Sequence, residues 1–221
     1  MKISLLTFFC LISLCAYSQV TSFIINDDKL NKPLKDSLES IYKSDQSVRN
    51  AVSEALKAKK PKEYVDSLRG VMRQTDNMNL IRVKNIIKDK GWQSPQQVGM
   101  TAAQGLFLVI QHADLQTQLE YLPLIRDVEK KGEILSSNLA ILEDRINIRQ
   151  GKTQSYGSQL FTDRTSGKQY PYPIADVDNL DKRRTAMGMP PMQTYLQDWT
   201  VESYKQDLPI IERIFTAQGI R

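Results

Sequence analysis

"MTAAQGLFLVIQHA", Met100 to Ala113, is the stretch that decides the fold. Ala102, Ala103, Leu106, Phe107, Leu108, Val109 and Ile110 make it apolar almost all round, so it reads as the central buried helix of a helical domain. Ser94, Pro95 and Gln97 ahead of it form a helix-start signal: a serine cap, a proline at the first helical place and a glutamine three residues after the cap. Behind it, Asp114 is placed to cap a further helix, which Pro123 must bend or restart and Gly132 ends.

The same periodicity extends in both directions. A helix is expected over about Pro33 to Lys43, with Leu34, Leu38, Ile41 and Tyr42 on one face. "SDQSVRNAVSEALKAKK" (Ser44 to Lys60) carries Val48, Val52, Ala55 and Leu56, and Pro61 then opens another helix. Leu80, Val83, Ile86 and Ile87 form a stripe that stops at Gly91. Ser136 or Ser137 is the expected cap of "NLAILEDRINIRQ" (Asn138 to Gln150), ended by Gly151. From residue 152 the character changes: turn residues Thr165, Ser166 and Gly167 separate two aromatic-bearing runs, while Pro171 and Pro173 confine any second strand to an edge. Short helices are expected around Leu180 to Met187, Pro191 to Trp199 and Ser203 to Ala217. The fold class is therefore mostly α, one helical domain over 19–221 with a small β-hairpin or irregular insertion around residues 152–175. No internal repeat argues for a solenoid.

"MKISLLTFFCLISLCAYS" (Met1 to Ser18) reads as a signal peptide: one lysine, an apolar run from Ile3 to Ala16, and small residues at Ala16 and Ser18. Cleavage before Gln19 would export the chain, to the periplasm or beyond. The segment is too short to anchor the mature chain by spanning a membrane, and no later stretch is apolar for long enough. Cys10 and Cys15, the only cysteines, both lie in it, and neither follows the small residue that lipid attachment wants. The mature chain thus has no cysteine nucleophile and no thiolate metal site. The formal charge is +5 with Lys2 included, and "KAKKPKE" (Lys57 to Glu63) reads as a solvated helix end. No aromatic residue interleaves with that run, so nucleic acid is not expected as a partner.

In order and spacing, "DQSVR" (Asp45 to Arg49), "GW" (Gly91, Trp92), "QHAD" (Gln111 to Asp114), "DR" (Asp144, Arg145), "QSYGSQ" (Gln154 to Gln159), "DKRR" (Asp181 to Arg184) and "GMPP" (Gly188 to Pro191) resemble a bacterial family known as domain of unknown function 6624. The resemblance runs from about Leu34 to Leu196, with "QHAD" its most specific part. Gln93 and Ser158 depart from the family's usual proline and threonine, and neither change removes an ionisable group. The resemblance implies a grouping and a set of positions, and carries no activity.

His112 is the only histidine, which rules out two- and three-histidine metal sites, so no metal is expected. There is no G-x-S-x-G elbow and no glycine-rich phosphate loop, so no cofactor is expected either. Candidate catalytic groups are His112 with Asp114 and Asp144. Candidate binding groups are Gln111, Arg145, Gln154, Tyr156, Gln159 and Arg184. Arg145 shares a stripe with Ile141 and Ile148, where its stem can pack while its guanidinium clamps a carboxylate. Gly157 lets the backbone of the Gln154 to Gln159 loop come close to a pocket lip.

Three functions fit these residues. The first is a helical binding domain with a polar pocket around His112, taking a small-molecule or peptide ligand, anionic if an arginine faces inward. The second is a hydrolase with His112 as general base beside a carboxylate. The third is a purely structural polar network. His112 is expected partly buried beside a concavity. A carboxylate on one ring nitrogen and open space at the other would favour the enzyme, and a sealed ring would favour the structural network.

Overall fold

The computed structural model describes residues 19–163 and 165–217; the proposed signal peptide lies outside the described residues. The described chain is mostly helical, with one two-stranded antiparallel sheet. None of its helices is long and apolar enough to cross a membrane.

Helix α1 runs unbroken over Lys32–Lys57, where two helices were expected. Its buried stripe of Leu34, Leu38, Ile41, Asp45, Val52 and Ala55 keeps one helical phase through Lys43 and Ser44, so nothing there stops it. Helix α2 (Lys62–Lys90) folds back along α1 and ends at Gly91, whose φ of 74° suits a residue without a Cβ. The start signal at Ser94 does open a helix, its backbone N–H donating to Gln97 Oε1 at 2.8 Å, but α3 (Pro95–Val98) lasts four residues before Gly99 breaks it at φ 84°. Helix α4 (Met100–His112) then begins, and as expected it is the most enclosed helix, with Ala102, Leu106 and Ile110 fully buried.

Asp114 caps α5 (Leu115–Lys130), accepting from the Thr117 N–H at 2.7 Å. Pro123 does not restart this helix. The carbonyl that loses its partner to proline belongs to Leu119, which is 40% exposed, so water can satisfy it. Helix α6 (Ser136–Arg149) is preceded by Leu135 at the cap position, not by a serine. Ser136 is instead occupied with the N-terminal segment: its N–H donates to the Val20 carbonyl, and its Oγ accepts from the Val20 N–H at 2.8 Å and donates to Glu129.

Two apolar clusters organise the molecule. Helices α1, α2, α4, α5 and α6 enclose the first, which includes Leu38, Ile41, Val83, Leu106, Phe107, Ile125 and Leu142. The second lies in the C-terminal part, where β1 (Leu160–Thr162) and β2 (Gln169–Pro171) form the expected hairpin. Phe161 and Tyr170 pack there with Leu180 of α7 (Leu180–Ala186), Met192 of α8 (Met192–Tyr195) and Ile211 of α9 (Val201–Ala217).

One contact sets the position of the functional groups. A Cβ at Gly105 would lie 2.8 Å from the Leu38 carbonyl and 2.9 Å from Tyr42 Cβ, so glycine lets α4 press against the backbone of α1. The two helices run in the same direction, and seven residues further along each, His112 of α4 meets Asp45 of α1.

Candidate functional site

Asp45 stands on the apolar stripe of α1 and is 1% exposed. A carboxylate so enclosed must be paired. Its Oδ1 lies 3.0 Å from His112 Nδ1, and Arg49, one turn along α1, reaches it with Nε to Oδ2 at 3.2 Å and Nη2 to Oδ1 at 3.1 Å. Arg49 Nη2 also pairs with Asp76 of α2 at 2.7 Å. Burial by itself would raise the Asp45 carboxyl; the hydrogen bonds and charges of His112 and Arg49 outweigh it and hold the group below its ordinary range.

Arg49 Nε also lies 3.0 Å from His112 Nδ1, and an arginine nitrogen can only donate. Protonated Nδ1 resolves the geometry. It donates to Asp45 Oδ1, and the Arg49 Nε hydrogen is shared toward Asp45 Oδ2 at 3.2 Å, with the guanidinium left close to Nδ1 at 3.0 Å. A bare Nδ1 would set its lone pair against a carboxylate oxygen. Nε2 is then the ring's basic nitrogen, and it has no hydrogen-bond partner among the described residues.

The His112 side chain is 17% exposed and lines a cleft of about 210 Å³ between α1, α2 and the C-terminal end of α4. Asp45, Arg73, Asp76, Asn77 and Asp114 supply its polar wall, and Leu80, Val109 and Ala113 its apolar one. Arg73 has no ion-pair partner among the described residues, whereas Asp76 holds Arg49. The Thr117 N–H and hydroxyl hold the Asp114 carboxyl below its ordinary range. Among the described residues, no Ser, Thr or Cys lines the cleft, and no three of its carboxylates and histidine are grouped to hold a metal ion.

The other residues singled out from the sequence lie outside this lining. Asp144, fully buried, accepts from the N–H groups of Ser155 at 2.6 Å, Tyr156 at 3.1 Å and Ser158 at 3.0 Å. Burial raises its carboxyl in spite of those bonds. The Gln154 side chain closes the same loop by donating to the Gln159 and Tyr172 carbonyls and accepting from the Gln159 N–H; Gln159 donates onward to Ser158 Oγ. Arg184, 1% exposed, donates to the carbonyls of Pro190 at 2.7 Å and Tyr156 at 2.6 Å, with its guanidinium over the Tyr195 ring. Asp144, Tyr156, Gln154, Gln159 and Arg184 thus form one network pinning the C-terminal part to α6. Gln111 is buried, and its carbonyl accepts from Gln118 Nε2. Arg145 is in neither group, and its Nε is buried without a partner.

Of the sequence candidates, only His112 and Asp114 come together in the cleft. Asp45, Arg49, Arg73, Asp76 and Asn77 were not among them. Asp45 had a legible signal: an acid in phase with Leu38, Ile41 and Val52 on the buried side of a helix needs a partner.

No curated protein and no solved structure matches the chain. The model of a family of unknown function, DUF6624, matches residues 32–205, which include α1, the cleft and the C-terminal network. The chain belongs to that family.

Proposed function

We propose that the cleft is a general acid–base site for a small-molecule substrate, with His112 Nε2 as the base and Asp45 as the residue that orients the ring, in a chain exported after cleavage near Ser18/Gln19. The observation that carries this reading is the Asp45–His112 contact at 3.0 Å beside an open cleft. Asp45 holds the ring with Nδ1 toward its carboxylate and leaves Nε2 free to take a proton.

Because the cleft offers no hydroxyl or thiol nucleophile, the reaction that fits is direct attack by water. Nε2 removes a proton from water as the oxygen attacks an electrophilic carbonyl or phosphorus. The imidazolium then returns that proton to the leaving group, and Arg73 stands where it can balance charge developing on the substrate. The test is a panel of chromogenic carboxylic esters, phosphoesters and glycosides with the mature protein, His112→Gln and Asp45→Asn. Turnover that falls at least a hundredfold in His112→Gln supports the reading, and turnover equal in all three proteins refutes it.

A second reading has one observation behind it. Asp76 and Asp114 are already engaged, by Arg49 and by the Thr117 backbone, so the cleft can act as a binding site in which His112 and Arg73 only hold a ligand. Ligand binding lost in His112→Gln, with no turnover by the wild type across the panel, would favour it.

A further inference from the structure

The C-terminal part holds a second cleft, of about 340 Å³, which shares no lining residue with the one beside His112. One wall is Lys168, Gln169, Tyr170 and Pro171, which are β2 and the residue before it; the other is the loop 196–199 with Ser203 and Asp207 of α9. Successive side chains of a strand point to opposite faces, so a cleft lying over one face would meet every other residue. This one meets four in a row. It therefore runs along an edge of β2, and β1 already occupies the opposite edge.

The outer edge is open. The Asp163 N–H donates to the Lys168 carbonyl at 2.9 Å and the Tyr172 N–H to the Gln159 carbonyl at 3.1 Å, so the backbone groups of residues 168, 170 and 172 face β1. By the same alternation Gln169 and Pro171 turn theirs outward. The Gln169 N–H and carbonyl and the Pro171 carbonyl have no hydrogen-bond partner among the described residues. Because proline brings no N–H, the free edge is short, with one donor and two acceptors.

The charges around the cleft leave one acid over. Lys168 pairs with Asp207 at 2.8 Å and lies over the Tyr170 ring. Asp198, exposed in the facing loop, has a carboxylate with no ion pair or hydrogen bond among the described residues, and the chain holds it at φ 62°, in the left-handed region.

We propose that this cleft binds a short extended peptide carrying a lysine or arginine, which adds to β2 as a third strand. Its backbone bonds the Gln169 N–H and carbonyl and the Pro171 carbonyl, and its cation meets Asp198. The open edge and the cleft volume both suit a segment of about three residues.

The test is titration of the mature protein with acetyl-Thr-Lys-Lys-Thr-amide, which puts a lysine on each face of an extended chain, followed in 1H–15N correlation spectra. The Trp199 indole signal reports on this cleft, and Trp92, in the other apolar cluster, serves as the control. Wild type should show a saturable shift of the Trp199 signal. Binding should weaken at least about tenfold when the peptide's backbone nitrogens are methylated, and as much in Gln169→Pro, which removes the outward N–H at an edge position that accepts proline. Asp198→Asn, and acetyl-Thr-Glu-Glu-Thr-amide with wild type, should each bind about threefold or more weakly. No binding by wild type, or equal binding of the methylated or glutamate peptide, would overturn the proposal, and so would a folded Gln169→Pro that binds like wild type. If Gln169→Pro does not fold, the methylated peptide decides the matter on wild type alone. Self-association of wild type in sedimentation that is lost in Gln169→Pro would overturn it in favour of a second copy at this edge.

Discussion

Asp45→Asn isolates the charge at the centre of the cleft, because asparagine has the same shape and leaves no cavity. Asp45 is 1% exposed, and its carboxylate receives His112 at 3.0 Å and Arg49 at 3.1 and 3.2 Å. Hydrogen bonds to a buried charge are worth about 1.5–3 kcal/mol each. The His112 bond counts in full. The Arg49 contribution is smaller, since that side chain is 22% exposed and keeps Asp76 at 2.7 Å, which brings its share to about 1 kcal/mol or less. The expected loss is about 2–4 kcal/mol at neutral pH, or about 5–15 °C in melting temperature for a chain of this size. The folded Asp45 carboxyl lies below its ordinary range, so the stability it confers is fully present above the unfolded carboxylate value of about 3.9 and is lost as pH falls through the folded value. The gap between the two proteins should therefore be widest at neutral pH and close in acid. Urea unfolding followed by Trp92 and Trp199 fluorescence reads it, with one tryptophan buried in each apolar cluster. Equal midpoints at pH 7, or a gap that persists undiminished below the carboxylate range, would refute the reasoning.

Asp144→Asn should destabilise by about 1–3 kcal/mol, because the amide NH2 must face one of the loop N–H groups that Asp144 now accepts. It should leave the His112 ring signals in place, and a change in those signals would connect Asp144 to the cleft. Gly105→Ala adds a Cβ within 3 Å of the α1 backbone, so in thermal unfolding it should lose about 1–3 kcal/mol despite alanine's better helix propensity, and it should weaken the His112–Asp45 bond two turns on. A neutral or stabilising result would show that α1 and α4 can part without cost. Arg184→Lys retains charge but not the fork that reaches the Pro190 and Tyr156 carbonyls, and should lower the melting temperature by at least about 5 °C. An unchanged melting temperature would mean the Arg184 network does not hold the C-terminal part.

Much of the fold was legible because the apolar periodicity of α4 and the glycine stops at Gly91, Gly132 and Gly151 act locally. The hairpin turn and the short C-terminal helices followed from turn and proline chemistry in the same way. What local signals missed came from long-range context. Local periodicity divided α1 at Lys43 and Ser44, whereas the helix runs on through them with Asp45 buried at the cleft. Asp45 and Arg49 were not legible as His112 partners because the sequence separates them widely, Asp45 lying 67 residues from the ring. Asp144 drew notice as an acid, but its buried position gave no hint that loop N–H groups would surround it. Those donors come from a backbone turn, which side-chain identities do not reveal.

The most direct test is the tautomer of His112. Because it is the only histidine, a long-range 1H–15N correlation spectrum of the untagged mature protein carries one set of ring signals and needs no assignment. Under conditions where the ring bears a single proton, that proton should reside on Nδ1 and exchange slowly, with Nε2 showing the shift of a bare nitrogen; Asp45→Asn should abolish this bias. A proton found on Nε2 in the wild type would contradict the account.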